Sequence, residues 1–129
     1  MKALIIDDQP LFLKKLVENF EYDIELTVAE DGKTGLDNFF LHHKRGEPFD
    51  LLFLDLDLPI IRGEDILIAI RSYEDTMSLG NIKVIVISAD QKTSKVMDLF
   101  KRGCEYYIKK PIDKNSLKES VSFVYKGFV

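Results

Sequence analysis

At 129 residues, 46% hydrophobic and 31% charged, the chain has the size and balance of one soluble globular domain with a real core. A net charge of −4 argues against a nucleic-acid-binding face, and no apolar run approaches the roughly 20 residues of a bilayer-spanning helix. The apolar stretch at the start is too short for a signal-peptide core, and the single cysteine, Cys104, cannot form an internal disulfide, so a cytoplasmic location is expected.

Ala3-Leu4-Ile5-Ile6 reads as a short buried strand that stops at Asp7. Leu13, Leu16, Val17 and Phe20 then recur at helical spacing. Ile24 to Ala29 is a weaker strand, punctuated by Asp31-Gly32. Leu36, Phe39 and Phe40 mark a second helix, closed by the turn Arg45-Gly46-Glu47-Pro48. The cluster His42-His43-Lys44-Arg45 falls at that helix end, where cations complement the dipole. Its two histidines face about 100° apart and read as surface residues rather than chelators. Phe49 to Leu54 is a strand ending in Asp55, and Ile66, Leu67, Ile70 and Tyr73 give a third helix with a rather long segment behind it, Ser72 to Asn81. Ile82 to Ile87, β-branched at five of six positions, is the strongest strand signal and stops at Ser88. Val96, Leu99 and Phe100 carry a fourth helix that Gly103 ends. Tyr106-Tyr107-Ile108 is a fifth strand, halted by Lys109-Lys110-Pro111, and Leu117, Val121, Val124 and Phe128 line a last helix.

Five strand–helix alternations with nearly all-apolar strands predict an α/β fold. The expected form is a doubly wound five-stranded parallel sheet with helices on both faces and the flavodoxin-like order 2-1-3-4-5. Such sheets bind ligands beyond the carboxyl ends of their strands. There stand Asp7-Asp8, Asp55, Ser88 and Lys110, at the ends of strands 1, 3, 4 and 5. Each alone is ordinary: a helix cap, a strand-ending acid, a capping serine, a solvated lysine. Together they bring three carboxylates close, an arrangement that is stable with a cation among them. A donor set of oxygens without cysteine or histidine points to Mg²⁺, with Mn²⁺ as a substitute. Lys110 is placed to pair with an anionic oxygen and Ser88 to donate to another. Phosphoryl transfer needs that kind of positioning and charge stabilisation, and a carboxylate nucleophile gives an aspartyl phosphate.

Several segments, in this order and spacing, resemble the receiver domain of two-component response regulators, of the chemotaxis-receiver kind. They are Leu4-Ile5-Ile6-Asp7-Asp8, Asp55-Leu56-Asp57-Leu58-Pro59 with Gly63 following, Ser88-Ala89, and Gly103 ahead of Tyr107-Ile108-Lys109-Lys110-Pro111. The resemblance spans residues 1–129 as one receiver domain. It implies that Asp55 accepts a phosphoryl group from the phosphohistidine of a sensor histidine kinase or histidine phosphotransfer protein. Beyond its own phosphorylation and dephosphorylation, such a domain catalyses nothing. Asp8 and Asp55 would ligate Mg²⁺, Asp7 mainly through water, and the backbone carbonyl of Asp57 would add a ligand. Ser88 and Lys110 would hold phosphoryl oxygens, while strand alternation turns Lys109 to the opposite face. Ser88 and Tyr107 would act as a switch, altering the face of helix 4, strand 5 and helix 5 for an output partner, an effector domain or a dimer mate. No direct contact with nucleic acid or membrane is implied.

Three features depart from the family pattern. Asp57 and Asp90 are acidic near the expected site entrance, where they would alter metal affinity or the lifetime of the acyl phosphate, and Gly35 stands where a small helix residue, often alanine, is expected. Asp55-Leu56-Asp57 also imitates the Asp-x-Asp motif of haloacid-dehalogenase-like phosphatases, with Asp57 as general acid/base. It lies on the third strand rather than the first, however, Pro59 replaces the expected Thr or Val, and Asp7-Asp8 would have no role. A pseudo-receiver that works without phosphorylation would need a defect that the five functional positions do not display.

Overall fold

The computed structural model describes residues 1–20, 23–89 and 92–125. Strands and helices alternate along it: β1 (Lys2–Ile6), α1 (Leu11–Glu18), β2 (Glu25–Ala29), α2 (Gly32–Lys44), β3 (Leu51–Asp55), α3 (Gly63–Met77), β4 (Lys83–Ser88), α4 (Thr93–Lys101), β5 (Tyr106–Lys109) and α5 (Lys114–Val124). All neighbouring strands pair in parallel, in the order β2-β1-β3-β4-β5 that the alternation predicts. Phe128, read as part of the last helix, lies outside the described residues.

Strand alternation divides the core into two layers. Leu4, Ile6, Leu52, Leu54, Val84 and Val86 face the layer that holds Phe39 of α2 and Ile66, Leu67 and Ile70 of α3. Ala3, Ile5, Leu51, Phe53, Ile85 and Ile87 face Leu13 and Val17 of α1 and Leu117 and Val121 of α5. Each fully buried aliphatic side chain contributes about 1.5–3 kcal/mol, so the three central strands are held firmly from both sides. Their register sets Ile6 beside Leu54, Asp55 beside Ile87 and Ser88 beside Lys109. The residues that end or follow these strands therefore emerge along one edge.

Two glycines allow close approaches behind that edge. A Cβ on Gly35 would lie 2.6 Å from Cγ1 of Ile6, so the space an alanine methyl would take belongs to β1. A Cβ on Gly63 would meet Leu56 Cα at 2.7 Å and the Asp55 carbonyl oxygen at 2.9 Å. The first turn of α3 thus rests directly on the backbone at the end of β3.

The opposite end of the sheet is clamped by a polar network. Arg71 donates to Glu74 at 2.7 Å, to the Ile82 carbonyl at 2.8 Å, to the Gly103 carbonyl at 2.7 Å and to Glu105 at 3.1 Å. Glu74 in turn accepts from the Ile82 N–H, and Glu105 from the Val84 N–H, each at 2.6 Å. Of the long Ser72–Asn81 segment, Glu74 belongs to this network. α3 continues to Met77 and closes with Ser78 in the left-handed region, φ 53°.

Two expectations about burial change. His42 and His43 are half-buried: the His42 ring lies 4.2 Å from that of Phe49, and His43 lies 4.7 Å from Phe39 and 5.7 Å from Tyr73. The last turns of α2 pack on the start of β3 and on α3, which covers the rings that composition alone assigns to solvent. Phe100 is largely exposed, because α4 sinks only Leu99 fully into the core and its neighbour is turned well away. Among the described residues, no helix is long and apolar enough to cross a membrane.

Replacing Arg71 with methionine leaves Glu74 buried without its cation. The expected cost is about 3 kcal/mol in a urea unfolding curve, and an unchanged midpoint would show that the network adds no net stability.

Candidate functional site

Asp7 is buried at the end of β1, where its N–H extends the ladder to Ala29 O at 3.1 Å. Its Oδ1 accepts the Gln9 N–H at 2.8 Å, a local turn that leaves Asp8 exposed at the rim. Neither acid caps α1, whose N-cap is Pro10 with no side-chain bond. Asp55 closes β3 and is 1% exposed, with Oδ1 accepting the Asp57 N–H at 2.8 Å. Carboxylate oxygens of Asp7, Asp8 and Asp55 all lie within 4.8 Å of one another.

Lys110 reaches this cluster from beyond β5. Its Nζ lies 3.1 Å from both oxygens of Asp55 and 3.3 Å from Asp57 Oδ2, while Lys109 is exposed. Ser88 is fully buried and does not cap α4, whose N-cap is Lys92. Its Oγ donates instead to Asp57 Oδ1 at 3.3 Å, and the Ala89 N–H donates to Asp57 Oδ2 at 3.2 Å. Tyr107 is half-buried, with its hydroxyl donating to the Ser88 carbonyl at 3.4 Å. The structure therefore brings Asp7, Asp8, Asp55, Asp57, Ser88 and Lys110 together, with Tyr107 one hydrogen bond behind. Asp90 lies outside the described residues. Three donors engage the Asp57 side chain, and the only mark of this in the sequence is an acid two positions after Asp55.

Negative charge exceeds positive here. Burial first, and then the charge of Asp55, push the Asp7 carboxyl up to about 6 against the pull of its bond from Gln9. Burial alone would lower Lys110, but hydrogen bonds and charge from Asp55, then Asp57, hold it above the ordinary lysine value. One ammonium against four carboxylates leaves a surplus of negative charge, and the converging oxygens of Asp7, Asp8 and Asp55 are a donor set suited to a hard, oxygen-seeking dication. A cleft of about 460 Å³ opens onto it, walled by Asp7, Asp8 and Lys110 on one side and by Phe12, Pro111 and Ile112 on the other. Cys104 takes no part: burial pushes its thiol up to about 12, which leaves it inert.

Comparison with known proteins gives a consistent picture. A family model described as the response regulator receiver domain matches residues 3–122. The chemotaxis protein CheY of Pseudomonas aeruginosa is 30% identical, with 98% of this chain and 97% of that protein covered. Hybrid signal transduction histidine kinase A of Dictyostelium discoideum is also 30% identical, but the match takes in 94% of this chain and 6% of that much longer protein. Among solved structures, the CheX-CheY-BeF3-Mg complex from Borrelia burgdorferi matches with a TM-score of 0.81 at 27% identity, covering 97% of this chain and 89% of that one.

The raised Asp7 carboxyl makes a prediction for metal-free protein. The folded state binds this proton more tightly than the unfolded chain, so the contribution of Asp7 to stability falls as pH rises from about 3.8 to about 6. Urea midpoints of the chelator-treated protein and its Asp7→Asn variant should diverge across that window, with the variant gaining, and stay parallel above it. Parallel curves throughout would refute the shift.

Proposed function

The chain belongs to the response regulator receiver domain family and is a phosphoacceptor signalling domain of two-component phosphorelays, and we propose that Asp55 is the residue that takes the phosphoryl group. The Asp55 carboxylate, held 3.1 Å from Lys110 and beside Asp7 and Asp8, carries this reading. Residues 1–129 are proposed to form one receiver domain, working in the cytoplasm.

Asp7, Asp8, Asp55 and the backbone carbonyl of Asp57 are the proposed holders of Mg²⁺, with Mn²⁺ as a substitute. Magnesium and beryllofluoride are named in the complex of the Borrelia relative. Bound there, the ion would neutralise charge on the transferring phosphoryl oxygens. An Asp55 carboxylate oxygen forms the new P–O bond as the P–N bond of the donor phosphohistidine breaks. The electron pair of that bond leaves with the imidazole nitrogen, which takes up a proton. Lys110 keeps the Asp55 oxygens oriented and stays to pair with the phosphoryl group, and Ser88 donates to one of its oxygens.

The output follows from the bond between Tyr107 and Ser88. Any movement of Ser88 toward a phosphoryl group changes the carbonyl that the Tyr107 hydroxyl holds. Beyond Tyr107 lies the face of α4, β5 and α5, which exposes Met97, Phe100 and Phe123. We assign this face to an output partner, an effector domain or a second copy, and the donor role to a histidine kinase or histidine phosphotransfer protein. The phosphatase reading of Asp55 and Asp57 is not favoured, since the family match is to receivers.

Acetyl phosphate with Mg²⁺ should add one phosphoryl group, labile to strong base and to hydroxylamine, as followed by intact-protein mass spectrometry. Asp55→Asn should abolish the addition. Lys110→Ala should slow it by about 10- to 100-fold, the value of a charge-assisted hydrogen bond. Normal labelling of the Asp55→Asn protein would overturn the assignment.

A further inference from the structure

The chemistry above asks only for the backbone carbonyl of Asp57, yet the side chain is fully engaged. Oδ1 accepts from Ser88 Oγ at 3.3 Å, Oδ2 accepts from the Ala89 N–H at 3.2 Å, and Oδ2 pairs with Lys110 Nζ at 3.3 Å. These donors come from the ends of β4 and β5 and converge beside Asp55. A hydroxyl, a backbone N–H and an ammonium are the set that a phosphoryl dianion requires. The carboxylate occupies them as two of a phosphoryl group's three oxygens would. It also lies on the solvent side of the acceptor: the side chains of Asp57 and Lys110 are 42% and 33% exposed, that of Asp55 1%.

We propose that the Asp57 carboxylate is a resident stand-in for the phosphoryl group, occupying its donors in the resting protein and giving them up when Asp55 is phosphorylated. The inference rests on Asp55 being the acceptor. The Ser88 hydroxyl and the Ala89 N–H each have one proton to give, so a phosphoryl group that takes them displaces Asp57, whereas the three-proton ammonium of Lys110 is already shared with Asp55. Being partly exposed, Asp57 can swing to water when displaced, so only part of the like-charge repulsion survives as a penalty, about tenfold in affinity. Two other roles for the side chain make opposite predictions. If it merely braces the β3 and β4 ends, removing it loosens Ser88 and Ala89 and weakens phosphoryl binding. If it ligates the metal, removing it weakens Mg²⁺ binding.

Beryllofluoride binding in saturating Mg²⁺, measured by fluorine NMR on the wild-type chain and on Asp57→Ala and Asp57→Asn, separates these roles. Asp57→Ala clears the donors and should bind beryllofluoride about tenfold more tightly, while its affinity for Mg²⁺ alone changes by less than about threefold. Asp57→Asn keeps the volume without the charge and should fall between the wild type and alanine. The Ala89 amide resonance should move in ligand-free Asp57→Ala, because its acceptor has gone. Unchanged or weaker beryllofluoride binding by Asp57→Ala, a matching loss of Mg²⁺ affinity, or failure of both variants to fold would overturn the proposal. A wild-type chain that binds no beryllofluoride would count instead against Asp55 as acceptor.

Discussion

Four carboxylates gathered around one ammonium at the carboxyl edge of the sheet are the constraint on which the rest of the molecule depends. Asp7, Asp8, Asp55 and Asp57 repel one another, and a loose scaffold would let them spread. The sheet does not allow it. β1, β3 and β4 are apolar on both faces and packed between two helical layers, so the backbone at their ends is fixed by the core. Gly63 brings α3 hard against the Asp55–Leu56 backbone, and Gly35 lets α2 close on Ile6. The energy that holds the acids together is therefore apolar burial in residues that never touch the site.

Rigidity is not spread evenly. α3 and β4 are tied to the β5 start by Arg71, Glu74 and Glu105, and α1 and α5 each sink two or more side chains into the core. α4 has only Leu99 fully buried and no side-chain cap at its start. It is the next helix after Ser88 in the chain. A change at the site meets least resistance there, where few apolar contacts must be broken. The proposed output face is thus the one whose helix is held most lightly, and the Tyr107 bond to Ser88 runs beside it.

The strands and their order were legible because the physics is local. An apolar run of four to six residues with a polar stop is a buried strand, and five such runs alternating with amphipathic segments leave few topologies. Placing Asp7, Asp8, Asp55, Ser88 and Lys110 at one edge followed from that alternation. What stayed hidden depends on partners distant in sequence. Arg71 and Glu105 are 34 positions apart and Ser88 and Asp57 are 31. No spacing rule relates them. The burial of His42 and His43 is hidden for the same reason, since their cover comes from Phe49 and Tyr73, beyond their own helix. Gly35 stands out in the sequence, but its meaning lies in the bulk of Ile6 opposite it.

The two ends of the sheet show what separates a structural buried carboxylate from the proposed acceptor. Glu74 and Asp55 are each 1% exposed, and each bonds a basic side chain and a backbone N–H. No buried side-chain nitrogen or oxygen among the described residues lacks a hydrogen bond, so an orphaned donor or acceptor does not mark the site. The difference is in the charge count. At the amino end Arg71 faces Glu74 and Glu105 while the Ile82 and Val84 N–H groups share their load, and the network is closed. At the carboxyl end Lys110 is divided between Asp55 and Asp57, and among the described residues no ion pair reaches Asp7 or Asp8; burial first, and then the charge of Asp55, pushes the Asp7 carboxyl upward. A closed network has nothing to gain from a ligand. The open one lowers its energy by taking up a cation, and with the cation in place it can accept a further anion. Hydrogen bonding fixes the geometry at both ends, and the larger surplus of negative charge sets the carboxyl end apart.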